Sequence, residues 1–278
     1  MTYNIRLLLE YDGTNYHGWQ RQAALQTIQG TIEDVLTQIT KKPAKVSGAG
    51  RTDAGVHAIG QAANFKTTLK LKETSWVKAI NSLLPDDILV KSAEYAAEEF
   101  HARHSAKSKI YQYIILNHDQ ISPFIRNYAH QVKQHLDITL MKKGAEYMTG
   151  THDFSSFRAS ECSARSPVRT LNRLEITSIS YKKGISPLFF LSSVNPSLCH
   201  AELVSESIIP CGSTLIIFTL EARSYLQHMV RNIVGTLIDV GRGKIKPSDI
   251  KTLIGKKDRR CAGQIAPSHG VYLIEVRY

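Results

Sequence analysis

Stretches with a two-residue apolar period alternate with stretches of helical period along this chain, and the succession runs through twice. That pattern confines the fold to sheets covered by helices. Residues 5–9 alternate, with Ile5, Leu7 and Leu9 on one face and Arg6 and Leu8 on the other, and lead into the turn Tyr11-Asp12-Gly13. Behind Thr27, a candidate N-cap, Ile28, Ile32, Val35, Leu36 and Ile39 recur at helical spacing. A strand over 45–48, a glycine-rich turn, a strand over 61–65, a helix centred on Trp76, Ile80 and Leu84, and a strand over 88–95 complete a first α/β layer. The second half repeats the order loosely: strand 109–116, helix 138–148, strands 171–180 and 214–221, helix 226–240 and a final strand 271–276. Strands that alternate on one face suit an antiparallel or mixed sheet with helices on the other side. The expected division is an N-terminal half, 1–106, and a C-terminal half, 107–278, with the boundary falling within 104–109. Residues 184–212 break the rhythm; with Pro187, Pro196 and Pro210 and almost no charge, they read as an inserted loop in the second half.

A chain of 278 residues has room for two domains of ordinary size, and 42% apolar with 21% charged residues is a globular composition, not a disordered one. Lys and Arg outnumber Asp and Glu by 35 to 24, a formal charge of +11 that favours a polyanionic partner, although solvated lysine faces give the same total. No apolar run approaches the ~20 residues that cross a bilayer, and the first residues lead into a strand pattern instead of a signal peptide. The expectation is a cytoplasmic protein with no membrane partner. Cys162, Cys199, Cys211 and Cys261 are widely spaced and form no C-x-x-C pair, so free thiols are expected. His101 and His104 lie three apart with no Cys or carboxylate at ligand spacing, and no metal is expected. Neither a phosphate-cradling G-x-x-x-x-G-K-[ST] loop nor a dinucleotide fingerprint is present, which points to chemistry without a cofactor.

The segment richest in chemistry is Gly48-Ala49-Gly50-Arg51-Thr52-Asp53-Ala54-Gly55-Val56-His57, followed by Gly60-Gln61 and Asn64-Phe65. Glycines on either side leave Asp53 between two flexible points, where its carboxylate could meet a ligand. Taken alone, an aspartate in T-D-A-G more often only closes a turn with its own backbone.

The whole constellation goes further. This segment resembles the active-site motif of the tRNA pseudouridine synthase A family. The resemblance extends to Tyr11-Asp12-Gly13, Gly18-Trp19-Gln20, Gln22, Thr27-Ile28-Gln29-Gly30 and Glu33. It continues through Phe100-His101-Ala102-Arg103, Gly150-Thr151-His152-Asp153-Phe154 with Ser156-Phe157, the run His228-Met229-Val230-Arg231-Asn232-Ile233-Val234-Gly235, and Ala266-Pro267. It covers the chain apart from 184–212. It implies an α+β pseudouridine-synthase fold, two ferredoxin-like halves sharing a mostly antiparallel sheet with flanking helices. It also implies a homodimer, a tRNA substrate modified in the anticodon stem-loop, and no cofactor or metal.

By that resemblance Asp53 is the catalytic carboxylate and Tyr111, in Ile110-Tyr111-Gln112-Tyr113, the active-site tyrosine. The family places Arg231 beside the aspartate, where a cation favours the ionised carboxylate. Periodicity alone assigns Arg231 a solvated place on a helix whose core face is Leu226, Met229, Val230, Ile233, Val234 and Leu237. Gly235, one turn beyond Arg231, would let that helix approach a neighbour closely. A base must leave its stack to reach a carboxylate, and Tyr111 suits the compensating platform, whereas Tyr113 reads as a core residue. Arg51 is a candidate for the phosphate of the displaced nucleotide, a surface salt bridge being the plainer role. His101, Arg103 and Lys109, with Arg21, Lys107, Arg165 and Arg169, are candidates for the RNA backbone. The cluster Arg242, Lys244, Lys246, Lys256, Lys257, Arg259 and Arg260 could join them, or form a solvated face. Tyr225 stands where the family more often has phenylalanine. Two other readings remain: a non-catalytic RNA-binding relative, against which the intact Asp53, Tyr111 and Arg231 argue, and a glycosidase, for which Asp53 lacks a second acid.

Overall fold

A computed structural model of the chain describes residues 1–180 and 212–278. The expected inserted loop therefore lies, but for Gly212, outside the described residues. Two compact units are formed, residues 1–109 with 272–278, and residues 110–271.

In the first unit, β1 (Tyr3–Tyr11) pairs antiparallel with both β3 (His57–Thr67) and β4 (Ile88–Ala96), and β2 (Val46–Gly48) adds antiparallel to β3. Tyr272 and Leu273, from β10 (Val271–Arg277), pair parallel with His57 and Ala58. The alternation read from sequence is met in β1, where Ile5, Leu7 and Leu9 are buried while Arg6 and Leu8 are half-exposed. Helix α1 (Ile28–Thr40) begins where expected, with the Thr27 hydroxyl accepting from the Gly30 amide at 3.3 Å. Helix α2 (Glu73–Asn81) buries Trp76 edge-on to Phe65 of β3, ring centroids 5.3 Å apart. It ends before Leu84, whose amide is instead held by the Ile80 carbonyl in a closing turn.

The second unit holds β5 (Ser108–Asn117, from Ile110 onward), β9 (Thr214–Ala222), β8 (Val168–Ser180) and β7 (Gly150–Asp153) as neighbours in that order, with β6 (His130–Val132) parallel on β5. Strands β8 and β9 pair antiparallel up to Ser180 opposite Thr214. Helix α3 (Ile138–Glu146) is capped by the Asp137 carboxylate, which accepts from Leu140 N at 3.0 Å. It packs on α4 (Met229–Gly241), with α5 (Asp249–Lys256) beyond. The α4 helix starts three residues later than its apolar pattern suggests, because His228 is left-handed with φ 63°. Strands β6 and β7 and helix α5 escape a reading by period, being too short to show one. The fold is α+β, with mostly antiparallel pairing.

Candidate active site

The glycine-rich segment is the connection from β2 to β3, and its backbone is pinned along its length. Ala49 N donates to Ala62 O at 2.8 Å, and the buried Gln61 amide donates to Gly50 O at 2.8 Å. Thr52 is held twice: its carbonyl accepts from Trp19 N at 3.0 Å, and its buried hydroxyl lies 2.9 Å from the Tyr11 hydroxyl. Beyond it, Val56 N donates to Asp53 O at 3.2 Å across a four-residue turn whose third residue, Gly55, has φ 76°. That turn position demands the left-handed region, which glycine enters without penalty. Gly55 N donates to Tyr16 O at 3.3 Å, and the Tyr16 hydroxyl in turn donates to Asp87. At the far end His57 stacks on Tyr272, centroids 4.9 Å apart. With Thr52 buried, Arg51 is left exposed and Asp53 half-buried on either side of it.

The N-terminal motif residues thus do scaffolding that no local reading assigns. Gln29 illustrates it: its amide oxygen accepts from Gln20 Nε2 at 2.7 Å and Arg21 N at 2.9 Å, and its nitrogen donates to Glu33 at 3.0 Å and Val46 O at 2.9 Å. Arg21, a candidate RNA contact, is engaged by Glu33 and Asp34 at 3.3 and 2.9 Å.

The Phe100-His101-Ala102-Arg103 loop is fastened to the same strand. Asn64 of β3 accepts from Ala102 N at 2.9 Å and donates to Asn4 at 2.9 Å, while Asn4 donates to Ala97 O and Phe100 O. Tyr278 donates its hydroxyl to Ala102 O at 2.9 Å and packs its ring on Phe100. Ala49, Ala62 and Ala102 pack together, so small side chains let both loops dock on one patch of β3. The structure therefore brings Arg51 and Asp53, and His101 and Arg103, onto two loops with a shared floor. Arg103 is exposed and His101 half-buried, its ring 4.4 Å from that of His104. Burial, then the neighbouring His104, lower the His101 pKa, and its Nδ1 accepts from Arg103 N. Among the described residues no group of three or more His, Cys, Asp or Glu could hold a metal ion.

Lys109 is buried, not displayed on the surface, because β5 is covered on both faces at that position. Burial, and secondarily Arg103, bring its pKa down from 10.5 to about 8. Between those values the unfolded lysine keeps its proton and the folded one has lost it, so folding releases a proton and stability rises with pH. Denaturant unfolding of wild type against Lys109→Met should show the wild type gaining, relative to the variant, up to about 3 kcal/mol across that window. A pH-independent difference would contradict the burial of a titrating ammonium.

In the second unit, Tyr111 is buried on β5 and meets Tyr225 edge-on, centroids 5.0 Å apart. Burial first, then Tyr111 and Glu221, push the Tyr225 phenol well above its ordinary pKa. Tyr113 is fully buried and donates to Pro267 O at 3.0 Å, as suits a core residue. Arg231, in the first turn of α4, is half-buried, and its Nε donates to Ala266 O at 2.8 Å. Its own carbonyl accepts from Ala266 N at 3.2 Å, so residues 264–266 run against α4 at the arginine. The Gly150–Phe157 motif is structural: Phe154 and Phe157 are fully buried, Ser156 donates to Leu253 O at 2.7 Å, and Asn232 donates to Phe157 O at 2.8 Å. The basic tail is largely spoken for. Arg242 and Lys244 pair with Asp239, Lys257 with Asp153 and Arg260 with Asp258, while Arg259 donates to Ala262 O and Gly263 O. Arg169 likewise donates to Ser166 O and Val168 O.

Comparison with known proteins places these residues in a wider set. A family model described as tRNA pseudouridine synthase matches residues 8–105 and 145–278. A tRNA pseudouridine synthase A of Acetivibrio thermocellus is 39% identical over 275 residues, 99% of this chain and 99% of that protein. One from a Thermoanaerobacter species is 41% identical with the same coverage, and one from Coxiella burnetii is 38% identical over 99% of this chain and 92% of that protein.

Proposed function

Because the chain belongs to the tRNA pseudouridine synthase family, we propose that it isomerises uridine to pseudouridine in the anticodon stem-loop of tRNA, with Asp53 as the essential carboxylate. The observation that carries this reading is the likeness along essentially the full chain to proteins of that one activity, with the R-T-D loop intact.

The isomerisation breaks the bond from ribose C1′ to N1 and forms one from C1′ to C5. A proton leaves C5 and one is gained at N1, so composition and oxidation state are unchanged and no redox partner or energy source is consumed. An ionised carboxylate serves whether it attacks the sugar, adds to the base or takes a sugar proton. Arg231 is assigned as the third catalytic residue, with Asp53 and Tyr111. Tyr111 stacks on the displaced base and its hydroxyl assists removal of the C5 proton. Arg51 holds the phosphate of the displaced nucleotide, and His101 and Arg103 meet the RNA backbone from the loop on β3, whereas the buried Lys109 takes no part in that contact. A formal charge of +11 supports a polyanionic substrate. The protein acts as a homodimer in the cytoplasm; among the described residues no helix is long and apolar enough to cross a membrane.

Pseudouridine formation in an unmodified tRNA anticodon stem-loop, without added metal or cofactor, tests the activity, and binding without conversion would favour a non-catalytic RNA-binding relative. Tyr111→Phe should retain wild-type tRNA affinity and lose about a hundredfold in turnover, because loss of the C5 proton after the C1′–C5 bond has formed is slowed. Wild-type turnover in that variant would remove the hydroxyl from the mechanism. Sedimentation at micromolar concentration tests the dimer.

A further inference from the structure

One buried side-chain contact reaches from the central sheet to the residue immediately before Asp53. Tyr11 ends β1 at a register shift: Leu9 faces Gln61 of β3, but Tyr11 faces Ala58, one residue beyond regular pairing. Such a bulge re-aims the side chain that follows it. The Tyr11 ring is 3% exposed and its hydroxyl lies 2.9 Å from that of Thr52, itself 7% exposed. Burial raises the phenol's pKa, so Tyr11 stays a neutral O–H, and the Gln61 amide, which also holds Gly50 O, bears on the same phenolic oxygen. From the other side, Gly18 approaches so closely that a Cβ there would sit 2.6 Å from Thr52 O. The peptide joining Thr52 to Asp53 is therefore fixed by its carbonyl at Trp19 and by its side chain at Tyr11.

We propose that Tyr11 and Thr52 are a positioning pair, whose buried hydroxyl–hydroxyl bond sets the orientation of the Asp53 carboxylate for the reaction. The proposal deepens the function assigned above and rests on it. Neither residue touches substrate; both act through the backbone on which Asp53 is carried.

A bond that only satisfies two buried hydroxyls behaves differently from one that aims a carboxylate. Removing one partner leaves the other buried and unpaired, whereas replacing both with apolar groups of the same shape is nearly neutral for stability. Tyr11→Phe, Thr52→Val and the double variant should therefore separate the two roles. Both single variants should lose about tenfold or more in kcat with KM for tRNA unchanged. The double variant should regain thermal stability but not kcat, and Thr52→Ser, which keeps the hydroxyl, should stay within about twofold of wild type. Recovery of kcat together with stability in the double variant would overturn the proposal, as would a change confined to KM. Hydrogen exchange at the Gly55 and Val56 amides gives a readout independent of activity, with faster exchange expected in the double variant. Unchanged protection there overturns the positioning role even if the wild type forms no pseudouridine, an outcome that would by itself overturn only the assigned function.

Discussion

Asp53→Asn should bind tRNA with wild-type affinity, melt within a degree or two of wild type, and form pseudouridine at least about a thousandfold more slowly. The two side chains are nearly the same size, and the loop that carries the residue is held by main-chain contacts at Gly50, Thr52 and Gly55, and by the main-chain carbonyl of residue 53. The substitution leaves all of these in place. What it removes is the anionic oxygen, on which every route from uridine to pseudouridine depends. Quantifying pseudouridine after single-turnover incubation of a stem-loop, alongside a filter-binding isotherm, separates chemistry from binding. Turnover within tenfold of wild type would sink the assignment of Asp53.

Gly235→Ala should destabilise the protein by about 2–4 kcal/mol, against the sign that helix propensity alone dictates. Alanine in a helix interior is worth about 1 kcal/mol over glycine. Here, however, a Cβ would lie 1.7 Å from the Gln264 carbonyl oxygen, a backbone atom that cannot rotate away. Residues 264–266 would have to withdraw from α4, and both hydrogen bonds between Arg231 and Ala266 would stretch or break. Each is worth roughly 1 kcal/mol, so their loss with the overpacking outweighs the propensity gain. Activity should fall further than stability, since the same withdrawal unseats the Arg231 side chain. Gly255→Ala is the control: it lies in α5 with nothing within 4 Å of an added Cβ, and there propensity should win, raising stability by up to about 1 kcal/mol. Equal effects at the two sites by thermal melting would refute the steric account.

The sequence by itself determined the order of the longer elements, the buried faces of β1 and α1, the cap at Thr27, and a glycine-flanked loop presenting Asp53. All of these follow from contacts within a few residues, which leave a period or a turn signature in the chain. It also carried, through resemblance, the choice of Asp53, Tyr111 and Arg231. Tertiary structure decided what has no local period. Residues 272–278 fold with the first unit because Tyr272 and Leu273 pair with His57 and Ala58, a partnership across more than two hundred positions that no window of sequence contains. The strand after the loop begins at His57 and not Gln61, since pairing partners extend it backward. Arg231 has the spacing of a solvated residue, yet the 264–266 segment, admitted by Gly235, takes its Nε. Lys109 has the composition of an RNA contact, but a strand covered on both faces buries it, and Arg21 is drawn to Glu33 and Asp34. A charge in a sequence is only a count until the fold supplies its neighbours, and those neighbours decide whether it meets solvent, a carbonyl or an acid.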